Sequence, residues 1–156
     1  MGGVRALVQR VREAKVSVTA SLDGTTTAEV VGSINSGLCV LVGVTHDDTV
    51  AHATKLADKL WNLRIIDDDN GVMNRSVADT TREILIVSQF TLYADTSAGR
   101  RPSYIAASPP EHAEPLIAAV VDHLRMLGAT VATGRFRTEM HVSLVNDGPV
   151  TMMIEI

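Results

Sequence analysis

The run Gly37-Leu38-Cys39-Val40-Leu41-Val42-Gly43-Val44-Thr45 is followed by Val50, Ala53, Leu56, Ala57, Leu60 and Trp61 at helical spacing. These two stretches decide the fold. A continuous apolar run between Gly37 and Asp47 has the length and β-branching of a strand buried on both faces. The next segment changes period to 3.6, and Asp47 and Asp48 stand near its start, where carboxylates suit the positive end of a helix.

Working towards the N-terminus, residues 4–19 and 26–34 alternate loosely and carry many β-branched side chains, the pattern of half-buried strands. Towards the C-terminus, residues 63–66 read as a short strand ended by Asp67-Asp68-Asp69-Asn70-Gly71. That acidic turn has the look of a calcium loop. Placing Gly71 at its sixth position, however, puts Ile66 first and Val77 twelfth, where carboxylates are required. A solvated turn is the better reading.

Residues 83–95 read as one strand whose second half turns polar. Ser108-Pro109-Pro110-Glu111 reads as a capping box with proline at the first helical position. Leu116, Ala119, Val120, His123, Leu124 and Leu127 follow at helical spacing. Gly128 closes the helix, and Pro115 should kink it or start it anew. Three late strands are expected, at 130–133, 141–145 and 150–156. Seven or eight strands and two helices without regular alternation predict an α+β fold, with a largely antiparallel or mixed sheet and the helices on one side. A single domain over 1–156 is expected. Met1-Gly2-Gly3 adds nothing to the strand pattern and reads as an appended end.

Composition narrows the function. Hydrophobic residues make up 46% and charged residues 21% of 156 residues, the balance of a folded chain. Aromatics are scarce at 3%, so Trp61, Phe90, Tyr93, Tyr104 and Phe136 each raise a question of placement. A lone cysteine, Cys39, excludes an internal disulfide and reads as a core residue. No apolar run approaches the roughly 20 residues of a membrane span, and the start lacks a signal-peptide pattern. A cytoplasmic setting with no membrane partner is expected. A net charge of −4 argues against a broad grip on nucleic acid, so any RNA should be held by a small part, such as an end.

Most standard catalytic motifs are missing: no Gly-x-x-x-x-Gly-Lys-Ser/Thr, no Gly-x-Gly-x-x-Gly, no His-Glu-x-x-His, no Gly-x-Ser-x-Gly. The histidines are scattered, and neither metal nor cofactor is expected. His46 beside two aspartates reads as a solvated helix start, and His123 as a satisfied packing residue. Two motifs carry information. Ser88-Gln89-Phe90-Thr91-Leu92 sets two hydroxyls, an amide and a ring at the polar end of a strong strand, although a strand simply leaving the core would look the same. Asn146-Asp147-Gly148-Pro149-Val150-Thr151 is either an Asp-Gly hairpin turn or a rigid Gly-Pro tip that presents backbone carbonyls.

At these two motifs the chain resembles the D-aminoacyl-tRNA deacylase family. The resemblance extends through Arg5-Ala6-Leu7-Val8-Gln9-Arg10-Val11, the Gly37–Val44 run, Leu63-Arg64-Ile65-Ile66, Gly71-Val72-Met73-Asn74, Tyr93-Ala94-Asp95-Thr96 and Gly99-Arg100-Arg101-Pro102-Ser103. It implies that Ser88, Gln89, Phe90 and Thr91 line the pocket for the 3′-terminal adenosine and its amino acid. It implies further that Gly148 and Pro149 are joined by a cis bond and reach into the pocket of a partner subunit, which would make the active unit a homodimer whose sheet is barrel-like in the dimer. Arg10 and Asn146 would support that tip, and Phe136 and Met140 would hold the adenosine. The chain departs from the family pattern at Arg137-Thr138-Glu139, where a Gly-Ala pair usually follows the phenylalanine, and at Val72, where lysine is common.

The expected reaction is hydrolysis of the ester of D-aminoacyl-tRNA. An activated ester yields to orientation and oxyanion stabilisation. Backbone N–H groups around Phe90 and Thr91 would polarise the carbonyl, and the substrate's own ribose hydroxyl would assist the attacking water. A Thr91 nucleophile is the alternative mechanism, although no base stands near it in sequence. The tip would exclude an L side chain and let achiral glycine pass. The rivals are a non-catalytic module for tRNA 3′ ends, with Arg100, Arg101, Arg135 and Arg137 on phosphates, and a hydrolase of small D-amino-acid esters.

Overall fold

A computed structural model describes residues 3–156. The elements are β1 (Arg5–Leu22), β2 (Thr25–Ile34), β3 (Gly37–Gly43), α1 (Val50–Asn62), β4 (Ile66–Asp67), β5 (Met73–Arg75), β6 (Glu83–Ser88), α2 (Pro110–Leu127), β7 (Val131–Thr133) and β8 (Met140–Glu155). Short 3₁₀ turns cover Val77–Asp79 and Phe90–Tyr93.

β1 organises the sheet. On one edge its first half pairs with β3 and its second half with β2, both antiparallel. On the other edge it pairs with β8 over Arg5 to Val18, again antiparallel, with register shifts around Val11. β3 continues parallel to β6, and β6 parallel to β7. The sheet is therefore mixed. Its two ends come together: a Cβ on Gly32 of β2 would lie 2.2 Å from the Thr133 carbonyl of β7. The sheet thus nearly closes on itself within one chain, and this closure needs no second subunit.

Two cores result. Val40, Ile84 and Ile86 face the helices, where Leu56 and Leu60 of α1 meet Val120 and Leu124 of α2. Cys39, Leu85 and Val87, the alternate residues of the same strands, face Val11, Val16 and Ile34 inside the curved sheet. β3 and β6 are apolar throughout because both faces are covered. Each fully buried leucine contributes about 1.5–3 kcal/mol relative to exposure. Both helices lie on one side of the sheet, in line with the sequence.

Several expectations need correction. Residues 63–65 are not strand; pairing begins only at Ile66, opposite Arg75. The strand from Glu83 ends at Ser88, because β3 ends at Gly43 and leaves β6 without its partner. The expected strands at 141–145 and 150–156 are one long β8, since both halves pair with the same strand β1 on either side of a bulge. Pro115 does not interrupt α2: it falls early in the helix, where it removes only one backbone donor. The capping box does not form either. Pro109 is the N-cap, and Ser108 turns its hydroxyl to His112 instead. Gly128 closes α2 at φ 107°, in the left-handed region.

Met1 and Gly2 lie outside the described residues. Gly3, read from the sequence with them, donates its N–H to the Ile156 carbonyl at 2.9 Å, just ahead of β1. In the acidic turn, Asp68 Oδ1 accepts from the N–H groups of Val72 and Asn70, which hold its carboxyl below the usual range. Among the described residues no group of three His, Cys, Asp or Glu side chains comes together. No described helix is long and apolar enough to cross a membrane.

Candidate active site

Where β6 loses its partner, the chain turns. The Gln89 N–H still reaches the Val42 carbonyl at 2.8 Å, and then Leu92 N–H bonds back to Gln89 and Ala94 N–H to Thr91. Residues Phe90–Tyr93 form a 3₁₀ turn with no side-chain cap. The first N–H groups of such a turn have no internal acceptor. Those of Phe90 and Thr91 find none elsewhere among the described residues.

The turn is held from behind. Arg5 donates Nη1 to the Leu92 carbonyl at 3.1 Å, lies 4.4 Å over the Tyr93 ring and pairs through Nε with Glu155 at 2.7 Å. Tyr93 is buried, and burial first, then the nearby Asp48 charge, pushes its hydroxyl up to about 12.

In front of the turn lies a cleft of about 640 Å³. Ser88, Gln89 and Phe90 line one wall, Tyr104, Ala107 and Ser108 a second, and Phe136, Arg137, Thr138 and Met140 a third. Val42 and Val44 at the end of β3 complete the lining, so four distant parts of the chain meet there. Phe90 is 56% exposed and stands edge-on to Tyr104, with ring centroids 5.2 Å apart. Ile105 beside them is 85% exposed. His46, which reads as a solvated residue, holds this loop by bonding Nε2 to the Ile105 carbonyl at 2.6 Å. Phe136 is half-buried against Val44, Ala113 and Leu116. Arg137 sits at φ 60° on the rim, so this chain's departure from the family pattern adds a charge to the cleft edge.

Thr91 does not line the cleft. Its hydroxyl accepts a hydrogen bond from Gln89 Nε2, and no imidazole or carboxylate bonds to it.

Gly148 and Pro149 lie elsewhere, at a bend of β8 opposite Arg10, joined by a cis peptide bond. Gly148 is at φ 124°, and a Cβ there would lie 2.8 Å from Arg10 Nη2. Arg10 donates Nε to the Asp147 carbonyl at 3.1 Å and Nη1 to the Ile65 carbonyl at 2.9 Å and to Asp67 at 3.1 Å. Asn146 closes the bend by donating to Thr151 Oγ1 and accepting from the Val150 N–H. The cleft is level with Val42, which pairs with Ala6; the bend is level with Arg10. At about 3.3 Å per residue the two are separated by roughly 13 Å along β1.

The structure thus brings Ser88, Gln89, Phe90, Phe136 and Met140 together, ties the Thr91 hydroxyl to Gln89 beside them, and groups Gly148, Pro149, Arg10 and Asn146 at a second place. Sequence reasoning missed Arg5, Ser108 and His112. A histidine four residues after the serine, across a helix start, was the available signal for the last two; Arg5 carried none.

The family model for D-Tyr-tRNA(Tyr) deacylase matches residues 7–155 of this chain. The chain belongs to that family. A D-aminoacyl-tRNA deacylase of Nocardia farcinica is 57% identical, the alignment covering 97% of this chain and 99% of the relative. One of Mycolicibacterium smegmatis is 54% identical over 98% of this chain and 100% of its own length. Among solved structures, a c-Myc DNA unwinding element binding protein superimposes with a TM-score of 0.86 at 36% identity, covering 97% of this chain and 98% of that one. A probable eukaryotic D-amino acid tRNA deacylase superimposes with a TM-score of 0.82 at 16% identity, covering 98% and 99%, and shows the shared fold.

Proposed function

We propose that this protein hydrolyses the ester bond of D-aminoacyl-tRNA, releasing free D-amino acid and tRNA. The observation that carries the reading is the turn at the cleft, where the Phe90 and Thr91 N–H groups have no acceptor among the described residues. Two fixed backbone donors stabilise the oxyanion that forms when water adds to the ester carbonyl. An aminoacyl ester is activated already, so the site needs only to orient it, with the neighbouring ribose hydroxyl assisting the water. A Thr91 nucleophile lacks support, since Gln89 donates to its hydroxyl and no base accepts from it.

Chiral selection falls to Gly148 and Pro149. In one chain the bend lies far from the cleft, whereas Phe90, Tyr104 and Ile105 offer exposed apolar surface beside it. In a homodimer the bend of each subunit enters the cleft of the other. There it occupies the space an L side chain needs, and glycine passes. Phe136 and Met140 hold the terminal adenosine. The compartment is the cytoplasm, where charged tRNA is found.

Hydrolysis of D-Tyr-tRNA and L-Tyr-tRNA, side by side with purified protein, tests the reading. Rapid loss of the D ester alone supports it. Loss of both leaves an esterase without a chiral filter. A DNA-element-binding name on one structural relative supports a second reading, a nucleic-acid-binding module; binding of tRNA without hydrolysis of either ester would favour it.

A further inference from the structure

Ser108 is buried just before α2 and lines the cleft together with Val44, Ala107, Pro110 and Phe136. Its N–H is committed to the Val44 carbonyl at 2.9 Å. Its hydroxyl touches Nδ1 of His112, and Nε2 of the same ring lies 2.9 Å from the Asp48 carbonyl. A carbonyl oxygen only accepts, so Nε2 carries the ring proton. A neutral imidazole has one such proton, and Nδ1 is left as an acceptor. The Ser108 O–H therefore points to acceptors within the chain, Nδ1 and more distantly the Pro109 carbonyl at 3.4 Å, and only its lone pairs remain for a ligand.

We propose that Ser108, held by His112, is a one-way hydrogen-bond acceptor that selects an exocyclic amine on a planar heteroaromatic base lying against Phe136. This rests on the deacylase reading for the identity of the base, the terminal adenine. Val44, Ala107, Pro110 and Phe136 offer apolar surface to a ring face in the same cleft, and the buried Ser108 hydroxyl offers an acceptor to its edge. A 6-oxo group would set acceptor against acceptor. Accommodating one would require Ser108 to turn its proton away from His112, stranding Nδ1 without a donor.

The probe is a non-hydrolysable 3′-amide of D-tyrosine on adenosine, compared with the same amide on purine riboside, which lacks the amine, and on inosine. Binding to the full-length protein is measured at equilibrium. Wild type should bind the adenosine compound about three- to tenfold tighter than the purine riboside compound, the worth of one net hydrogen bond. It should bind the inosine compound at least as weakly as the purine riboside. Ser108→Ala should erase the preference for adenosine over purine riboside. His112→Leu leaves only the Pro109 carbonyl at 3.4 Å to compete for the hydroxyl proton and should bring inosine up towards adenosine, a gain that a merely structural histidine would not produce.

Equal wild-type affinity for adenosine and purine riboside compounds overturns the proposal, as does a preference that survives Ser108→Ala. Continued exclusion of inosine by His112→Leu overturns it too. So does loss of turnover in Ser108→Ala with nucleoside preference intact, which would place Ser108 in the chemistry. Deacylation of D-Tyr-RNA is scored separately: its absence with the amine preference intact removes the deacylase reading and leaves the acceptor.

Discussion

Replacing Arg10 by methionine keeps the aliphatic stem and removes the guanidinium donors that brace the Gly148 bend from β1. The side chain is only 12% exposed, and it donates to the carbonyls of Asp147 and Ile65. Hydrogen bonds from a charged donor contribute about 1.5–3 kcal/mol each. The ion pair to Asp67 adds at most about 1 kcal/mol, because that carboxylate is half exposed and screened. Taking the low end for each, Arg10→Met should cost about 3 kcal/mol, which for a chain of this size lowers Tm by about 6–12 °C. Arg10→Lys keeps the charge but lacks the fork that spans both carbonyls, and it should fall between. The assay pairs thermal unfolding with hydrolysis of D-Tyr-tRNA and L-Tyr-tRNA. A loosened bend should lower the D-over-L ratio more than it lowers the rate on the D ester. A Tm within about 2 °C of wild type with an unchanged ratio would refute the brace.

Other expectations follow from the same geometry. Phe136→Ala should raise KM for the charged tRNA by roughly five- to a hundredfold with little change in kcat, since base stacking is worth about 1–3 kcal/mol; a loss confined to kcat would put Phe136 in the chemistry. Thr91→Ala should keep turnover within about tenfold of wild type, because the proposed oxyanion donors are backbone groups, and a thousandfold loss with intact binding would restore the nucleophile. Gly32→Ala places a Cβ 2.2 Å from the Thr133 carbonyl and should leave little soluble, folded protein; near-normal stability would mean that β2 and β7 part easily. Burial pushes the Cys39 thiol up to about 11, so it should resist alkylation at pH 8 until the chain unfolds. The folded state favours the protonated thiol, hence the stability tied to it is complete below about pH 9 and lost as pH rises towards 11. A denaturation midpoint flat across that range in wild type, or an unchanged alkaline fall in Cys39→Ala, would contradict this.

What the sequence alone determined is what depends on near neighbours. The apolar run at Gly37–Gly43, the stripe Ala53, Leu56, Ala57 and Leu60, and the stop at Gly128 follow from side-chain period and backbone sterics, and each stands where the residues put it. The Ser88–Thr91 and Asn146–Thr151 motifs stood out because their residue types are unusual for a strand. Tertiary structure decided what depends on distant partners. Ser88 ends a strand because β3 ends at Gly43, and Asp147-Gly148 is a bend instead of a hairpin because β1 pairs on both sides of it. Ser108 forgoes the cap for His112, whose ring is fixed by Asp48. The cleft exists because the sheet curls until the segment carrying Phe136 and Met140 faces the segment carrying Ser88 and Phe90. No local period encodes that meeting, since it depends on burying both faces of β3 and β6 at once.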